Sequence, residues 1–357
     1  MFYLEKLEIT NFRGYQNAQF EFNPQQNIFY GNNAVGKTSL VEAIYCLSFT
    51  KSFKNSRDRD LIRVGAPFYR IKGTFVNGES RDEVVLTYDM TDKRITKNQK
   101  TAKNISEYLG YFVCVDFSPD DLDLIKGSPQ TKRKFIDANL GQIDSEYLNA
   151  LMKSRKILKE RNEYLKTAEE NKVDFAFLNV STGLLIEQNR IIIAKRNSFI
   201  EALNKEMQIA FREITNGEEC AKMVYNPNCT VDNLEKKAKE RLSHDLYMQQ
   251  TTWGTTRDDV LMYIEEQEAA NYASQGQMRS LCLAVKIGLM RLLDKKKIRT
   301  VLILDDVFSE LDIHRQKAIL KQINKQKQTF ITTTSIASVD EETKRTSKLW
   351  EMKRGEE

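Results

Sequence analysis

The chain has 357 residues, with 55 Lys and Arg against 50 Asp and Glu and a formal net charge of +5. That length supplies about two to three domain units, and a composition of 41% hydrophobic and 29% charged residues excludes a wholly disordered chain. So small a charge surplus is compatible with a nucleic-acid partner without requiring one, because only a local concentration of charge makes an electrostatic footprint.

The N-terminus, MFYLEKLEIT, alternates apolar and polar residues and carries Glu5 and Lys6, which predicts a strand over Tyr3–Ile9 and not a signal peptide. Strands follow at Ala18–Phe22 and Asn27–Tyr30, the second running straight into glycine. Leu40, Val41, Ile44 and Leu47 have helical spacing and predict a helix over residues 38–48. Tyr69–Val76 and Glu83–Tyr88 alternate as strands about an Asn77-Gly78 turn, and Tyr111–Phe117 is an apolar strand ending at Ser118-Pro119.

The pattern then turns helical, over Glu146–Leu165 and again from Phe175 to Ile214, where Asn216-Gly217 stops it. Unbroken, the second helix would reach roughly 60 Å. The two segments suit either a helical arm or an ordinary helical subdomain, inserted in a mixed α/β body. The remainder returns to α/β: strand Met223–Tyr225, helix Asn233–Gln249, strand Val260–Ile264, helix Gln275–Leu293, strand Thr300–Leu304, helix Ile313–Asn324 and strand Thr329–Thr332. The expected division is a head from residues 1–117 and 216–357, interrupted by an arm at 118–215.

Several classes fall away. Cys46, Cys114, Cys220, Cys229 and Cys282 are scattered without a C-x-x-C pair, which fits a reducing compartment better than a disulfide framework or zinc site. His244 and His314 are too few for most catalytic metal centres. The most apolar window, Leu281–Met290, is short and contains Lys286, so no membrane span is expected. A cytoplasmic location is the expectation.

Residues 31–39 read GNNAVGKTS and satisfy G-x-x-x-x-G-K-[ST] between a strand and a helix, as a phosphate-binding loop requires. The backbone of Gly31, Asn32, Asn33, Ala34, Val35 and Gly36 would turn N–H groups toward phosphate oxygens at a helix N-terminus. Lys37 would reach the β- and γ-phosphates, and Thr38 would place its hydroxyl on Mg²⁺, with Ser39 next in the loop. A nucleotide and Mg²⁺ are therefore the expected ligands, and the family resemblance given below makes the nucleotide ATP.

Far downstream, Val301-Leu302-Ile303-Leu304-Asp305-Asp306 has the pattern of a buried strand ending in two carboxylates. Asp305 is the natural partner of Thr38 on Mg²⁺, and Asp306 could orient or deprotonate the attacking water. Most of the chain separates the two motifs, unlike the short spacing of small GTPases. Ser274-Gln275-Gly276-Gln277 opens a helix between them, and Ser309-Glu310-Leu311-Asp312 follows them. In this order the tetrapeptide looks like the signature motif of ABC-type ATPases, whose serine completes the site of the opposite subunit.

The segments KLEITNFRGY, GNNAVGKTSLVEAIY, FSPDDLDLIKGSPQTKRKFID, KSRKILKERN, SQGQMRSL and ILDDVFSELD, in this order, resemble the RecF family of recombination mediators. The resemblance implies an ABC/SMC-like P-loop ATPase head with an inserted α-helical arm. It also implies an ATP-dependent homodimer, weak DNA-stimulated ATPase activity, binding to gaps and single-strand/double-strand junctions, and RecO and RecR as partners. Carried over by position, Arg13, Asn33, Gly36, Lys37, Thr38 and Ser39 surround the nucleotide. Asp305 takes the Mg²⁺ position, Asp306 the place where transporters have Glu, and Ser274 acts in trans.

The sequence departs from the family at three points. Trp253-Gly254-Thr255-Thr256-Arg257-Asp258-Asp259 has Thr where a Pro-His pair is common, Thr333 stands where related ATPases have a γ-phosphate-sensing His, and no Q-loop glutamine is evident. Slow hydrolysis is the expectation. Candidate contacts to the DNA backbone are Lys51, Lys54, Arg57, Arg59, Lys132 and Arg133, with Lys153, Arg155, Lys156, Lys159 and Arg161 on the first arm helix. Such contacts would be salt-dependent and sequence-tolerant. Two other readings share this head, a mobile-element defence ATPase and an ATP-gated adaptor without meaningful turnover.

Overall fold

A computed structural model describes residues 1–54, 56–168, 173–307, 316, 327–339 and 341–353. The predicted helix Ile313–Asn324 and the segment Ser309–Asp312 lie outside the described residues.

The head holds two sheets with a helix between them. Strands β1 (Phe2–Phe12), β2 (Tyr15–Glu21), β4 (Tyr69–Asn77), β5 (Ser80–Tyr88), β6 (Lys93–Lys97) and the short β7 (Lys100–Thr101) form an antiparallel sheet in the order β2-β1-β4-β5-β6-β7. The strands β3 (Gln26–Tyr30), β8 (Val113–Phe117), β12 (Thr300–Asp305), β13 (Thr329–Thr333) and β14 (Ser347–Glu351) form a parallel sheet, ordered β14-β3-β13-β12-β8. Parallel sheets are covered on both faces, so their strands read as near-continuous apolar runs, as Thr300–Asp305 does with every residue buried.

Helix α1 (Lys37–Phe49) lies between the sheets, touching β1, β4 and β5 on one side and β8, β12 and β13 on the other. Its Leu40, Val41, Ile44 and Leu47 are fully buried. Each contributes about 2 kcal/mol from removing its side chain from water. With neighbours on both sides, α1 is apolar nearly all round and shows no single apolar face.

A short helix α2 (Asp123–Lys126) and α3 (Pro129–Ile143) lead from β8 to the arm, an antiparallel pair of α4 (Ser145–Thr167) and α5 (Phe175–Ile214). Near the tip the rings of Tyr164 and Phe177 lie 4.7 Å apart. The 40 residues of α5 form one helix, as the spacing predicts. Its second half buries Phe199, Leu203, Met207 and Phe211, and it packs along α8 (Gln275–Lys295). The arm helix is thus continuous with the head. Between α5 and α8 come β9 (Ala221–Asn226), α6 (Leu234–Met248), β10 (Asp259–Ile264), β11 (Gln267–Glu268) and α7 (Ala269–Tyr272), with the three strands forming a small antiparallel sheet.

Sequence patterning does not signal β6, α3 or β14. Strand β14 is half exposed, and α3 is polar and opens with Pro129, so neither carries a clear apolar period. Among the described residues no helix is long and apolar enough to cross a membrane.

Candidate nucleotide site

Open α/β sheets bind ligands beyond the carboxyl ends of their parallel strands. Here the ends of β3, β12 and β13 converge. The register pairs Thr333 with Tyr30 and Asp305 with Thr332, which places the residues after β3 beside the two carboxylates.

Gly31 leaves β3 with φ 149°, and a Cβ there would lie 2.3 Å from the Met352 carbonyl oxygen. Only glycine fits. Lys37 donates from Nζ to the carbonyls of Gly31 and Asn32 at 2.6 and 2.7 Å, so the loop closes around its own ammonium. Burial lowers the Lys37 pKa from its ordinary value, while Asp306 and Asp305 work in the opposite direction. An ammonium resting on two carbonyls can exchange them for phosphate oxygens.

Thr38 Oγ1 donates to Asp305 Oδ1 at 3.0 Å, joining the start of α1 to the end of β12 as the two motifs predict. Thr332 Oγ1 donates to the same Oδ1 at 2.7 Å. Burial raises the Asp305 carboxyl above its ordinary range, only partly offset by the hydrogen bonds from Thr332 and Thr38 and by Lys54. A carboxylate short of positive charge, facing a hydroxyl 3.0 Å away, fits a hard divalent cation. Among the described residues no group of three or more His, Cys, Asp or Glu could form a cage. The set suits Mg²⁺, which is held by one or two protein oxygens with the rest from phosphate and water.

Asp306 adopts the left-handed region with φ 53°, a conformation Asp tolerates better than most residues and one that clusters at active sites. Its backbone N–H donates to Thr332 O at 3.2 Å and Thr332 Oγ1 at 3.0 Å. Thr332 therefore holds the Asp305 carboxylate and the Asp306 backbone. Sequence position points instead to its neighbour Thr333, whose hydroxyl donates to the Ser335 carbonyl at 3.1 Å. The alternation of β13 against β12 is the signal that separates the two.

Two further features, Tyr15 and the wall formed by residues 351–353, carry no clear mark in the sequence. Tyr15 OH donates to the Gly36 carbonyl at 3.1 Å, bracing the loop from the first sheet. Glu351, Met352 and Lys353 line one side of a cleft whose other wall is Gly31, Asn32, Asn33 and Val35. Ser274 is exposed at the N-terminus of α8, where a reciprocal capping box ties its Oγ to the Gln277 N–H and the Gln277 Oε1 to its own N–H.

Residues 3–356 match the family model for the RecF/RecN/SMC N-terminal domain. The DNA replication and repair protein RecF of Lactococcus lactis subsp. lactis is 38% identical over 336 residues, covering 93% of each chain. That of Staphylococcus carnosus is 33% identical over 365 residues, covering 99% of each. The chain belongs to the RecF family. Among solved structures, the recombination mediator protein RecF-ATP in the RecFOR pathway superposes with a TM-score of 0.88 at 32% identity, covering 95% of this chain and 94% of that one. The Smc head of Pyrococcus furiosus, at 16% identity and a TM-score of 0.55, shares the fold.

Within this RecF-family chain several sequence-derived assignments change. Arg13 sits at φ 53°, but its guanidinium is bidentate to Glu42 on α1 at 2.8 and 2.7 Å and also donates to Ser56 Oγ and the Asp60 carbonyl. These contacts brace the segment after α1. Lys132 is buried and pairs with Asp259 at 3.6 Å, and Arg133 Nη1 donates to the Asp258 carbonyl. Arg161 is fully buried against Asp245 at 2.9 Å. The buried Lys132 and Arg161 are corrected from DNA-contact candidates to structural cations, whereas Arg133 is half-buried with one guanidinium nitrogen on a carbonyl.

The Trp253–Asp259 segment is likewise a clasp between arm and head. Arg196 of α5 donates to the Thr255 carbonyl and Asp258 Oδ2, both at 2.8 Å, and Thr255 Oγ1 bonds Asn189 of the same helix. By contrast Lys51, Lys54, Arg57 and Arg59 are all exposed. Partial burial first, then the like charges of Arg155 and Lys93, lower the Lys51 pKa against the opposing Asp58 and Asp137, so Arg155 of the first arm helix lies near this loop.

Proposed function

We propose that the chain is an ATP-dependent DNA-binding protein of replication and recombinational repair, and a weak, DNA-stimulated ATPase. ATP would join two copies into a dimer that clamps gapped or junction DNA. Slow hydrolysis would release it, and RecO and RecR would be the partners in loading recombinase. The observation that carries this reading is the Thr38–Asp305 hydrogen bond at the mouth of the loop, in a chain whose signature serine is exposed on a different helix.

Each residue has a physical role. Lys37, leaving the Gly31 and Asn32 carbonyls, would neutralise the β- and γ-phosphates, and the N–H groups of residues 31–39 would orient them. Thr38 and Asp305 would hold Mg²⁺, which when bound neutralises phosphate charge. Asp306, its backbone held by Thr332, would orient the attacking water. Ser274 would reach the phosphates of the other subunit. An Asp in place of a longer Glu, with Thr333 turned to Ser335, supports slow turnover.

Lys51, Lys54, Arg57 and Arg59 are the remaining candidates of the loop for the DNA backbone, joined by the exposed Lys153, Arg155, Lys156 and Lys159 of α4. Glu160 and Glu163 partly neutralise the arm, with exposed Lys156–Glu160 and Lys159–Glu163 pairs at 4.0 and 3.8 Å.

The test is binding to gapped, duplex and single-stranded DNA with and without ATP over a salt series. Affinity should rise with ATP and fall steeply with salt, and alanine at the four loop cations should reduce the salt slope by about 1 for each phosphate no longer neutralised. Binding that ignores ATP would refute the clamp.

A further inference from the structure

Helix α8 carries Ser274 at its start, and halfway along it Lys286 is buried, its side chain 5% exposed. The Lys286 ammonium meets Asp121 Oδ1 at 2.8 Å, the Asp116 carbonyl at 2.8 Å and Asp116 Oδ2 at 3.3 Å. Asp116 lies in β8 opposite Ile303 of β12, one strand over from the hydrolysis centre. Asp121 closes the loop that follows: its Oδ2 accepts the Ser118 N–H at 2.9 Å, and its carbonyl accepts Cys282 Sγ of α8 at 3.1 Å. A small pocket between this loop and α8 is also lined by Val307, the residue after Asp306.

The opposite face of α8 is fixed just as closely. Gly288, two residues on and thus about 200° around the helix, lies where a Cβ would come within 2.7 Å of the Met207 backbone nitrogen of α5. The signature helix is therefore gripped by the long arm helix on one face and tied to the catalytic sheet by one ammonium on the other.

The tie is chemically unbalanced. Two carboxylates share one ammonium in a largely buried place, and burial pushes the Asp121 carboxyl up to about 6. A buried arrangement of this kind is weak evidence of stabilisation, since apolar residues of equal volume often do as well or better. Its directional value is greater, because an ammonium with three fixed acceptors holds the helix against sliding.

We infer that Lys286 is a positioning residue: through Asp116 and Asp121 it ties the signature helix to the strand beside Asp305 and so sets the placement of Ser274 for the partner's nucleotide. This rests on the ATP-bridged dimer proposed above, in which each site combines the loop of one chain with Ser274 of the other.

Mixed dimers test it. Neither two chains carrying K37A nor two chains carrying S274R have a complete site between them. Their mixture has one complete site, made from the loop of the S274R chain and Ser274 of the K37A chain. K286M is then added to one chain or the other, and phosphate release is measured after circular dichroism and melting have shown that the chains are folded. On the K37A chain it should lower turnover of the single site about ten-fold, as expected when a charge-assisted hydrogen bond is removed. On the S274R chain, whose signature serine is already disabled, it should change turnover by less than about two-fold. D121N, which keeps size and the Ser118 hydrogen bond but leaves a one-to-one ion pair, should show the same dependence on the chain with a smaller effect.

Equal effects on both chains, or an effect confined to the S274R chain, would overturn the inference and assign Lys286 to general packing or to its own chain's catalytic centre. An inert K37A/S274R mixture before K286M is introduced would instead overturn the shared-site reading, and the strut with it.

Discussion

Replacing Thr332 with valine removes one hydroxyl and leaves the side-chain volume nearly unchanged, so no cavity term enters. The hydroxyl donates to Asp305 Oδ1 at 2.7 Å and accepts the Asp306 N–H at 3.0 Å. The second bond is partly covered by the Thr332 carbonyl, which accepts the same N–H at 3.2 Å. The loss is therefore chiefly one hydrogen bond to a buried carboxylate, about 1.5–3 kcal/mol. Because that bond lowers the Asp305 pKa and burial already raises it, T332V should push the carboxyl higher still. Hydrogen bonds that orient a metal-binding carboxylate are typically worth about 10–100-fold in affinity or activity. The assay is the Mg²⁺ dependence of phosphate release, with urea denaturation of the same proteins. T332V should need about ten-fold more Mg²⁺ for half-maximal turnover, and T332S, which keeps the hydroxyl, should stay near the parent. A T332V protein with an unchanged Mg²⁺ midpoint, whether or not it is less stable, would refute the claim that this hydroxyl aims Asp305.

K37A should abolish nucleotide binding in equilibrium titrations, whereas D306N should bind ATP and dimerise normally yet release no phosphate; D306N turnover at the parental rate would remove Asp306 from catalysis. S274R should bind ATP but form no ATP-induced dimer by light scattering. R196A removes the cation from the buried Asp258 carboxylate, while Asp137 keeps Arg155 at 3.0 Å, and should cost about 3–5 kcal/mol in urea denaturation; a change below about 1 kcal/mol would mean the clasp is dispensable. Asp121, raised to about 6 with Lys286, Asp116 and Cys282 facing it, keeps its proton in the folded chain over pH 4–6 where the unfolded chain has released it. Its contribution to stability is present at low pH and disappears as pH rises through about 6. The melting temperature of D121N should therefore gain on the parent from pH 4 to pH 7, and a constant difference would contradict the assignment.

Some of this protein could be read without coordinates because local chemistry suffices. A phosphate loop needs its glycines, lysine and threonine contiguous, so residues 31–39 state their purpose in sequence. The strand 301–305 is apolar because it is buried on both faces, and the 40-residue helix α5 has no proline and only one glycine, Gly183. The resemblance to the family rested on six segments in their order, from KLEITNFRGY to ILDDVFSELD.

Pairings between distant segments were not legible, because a side chain's partner depends on register and crossover, which composition does not encode. Lys132 and Arg161 look like surface cations until Asp259 and Asp245 arrive from elsewhere in the chain. Nothing local to Arg13 announces its bidentate pairing with Glu42 of α1. Thr332 and Thr333 are neighbours of equal propensity, and only the pairing of β13 with β12 decides which one faces Asp305. Sequence alone determined which chemistry this chain carries. Tertiary structure decided which of its charges are held inside in ion pairs and which remain at the surface, because burial turns a cation into a ligand for an internal carboxylate.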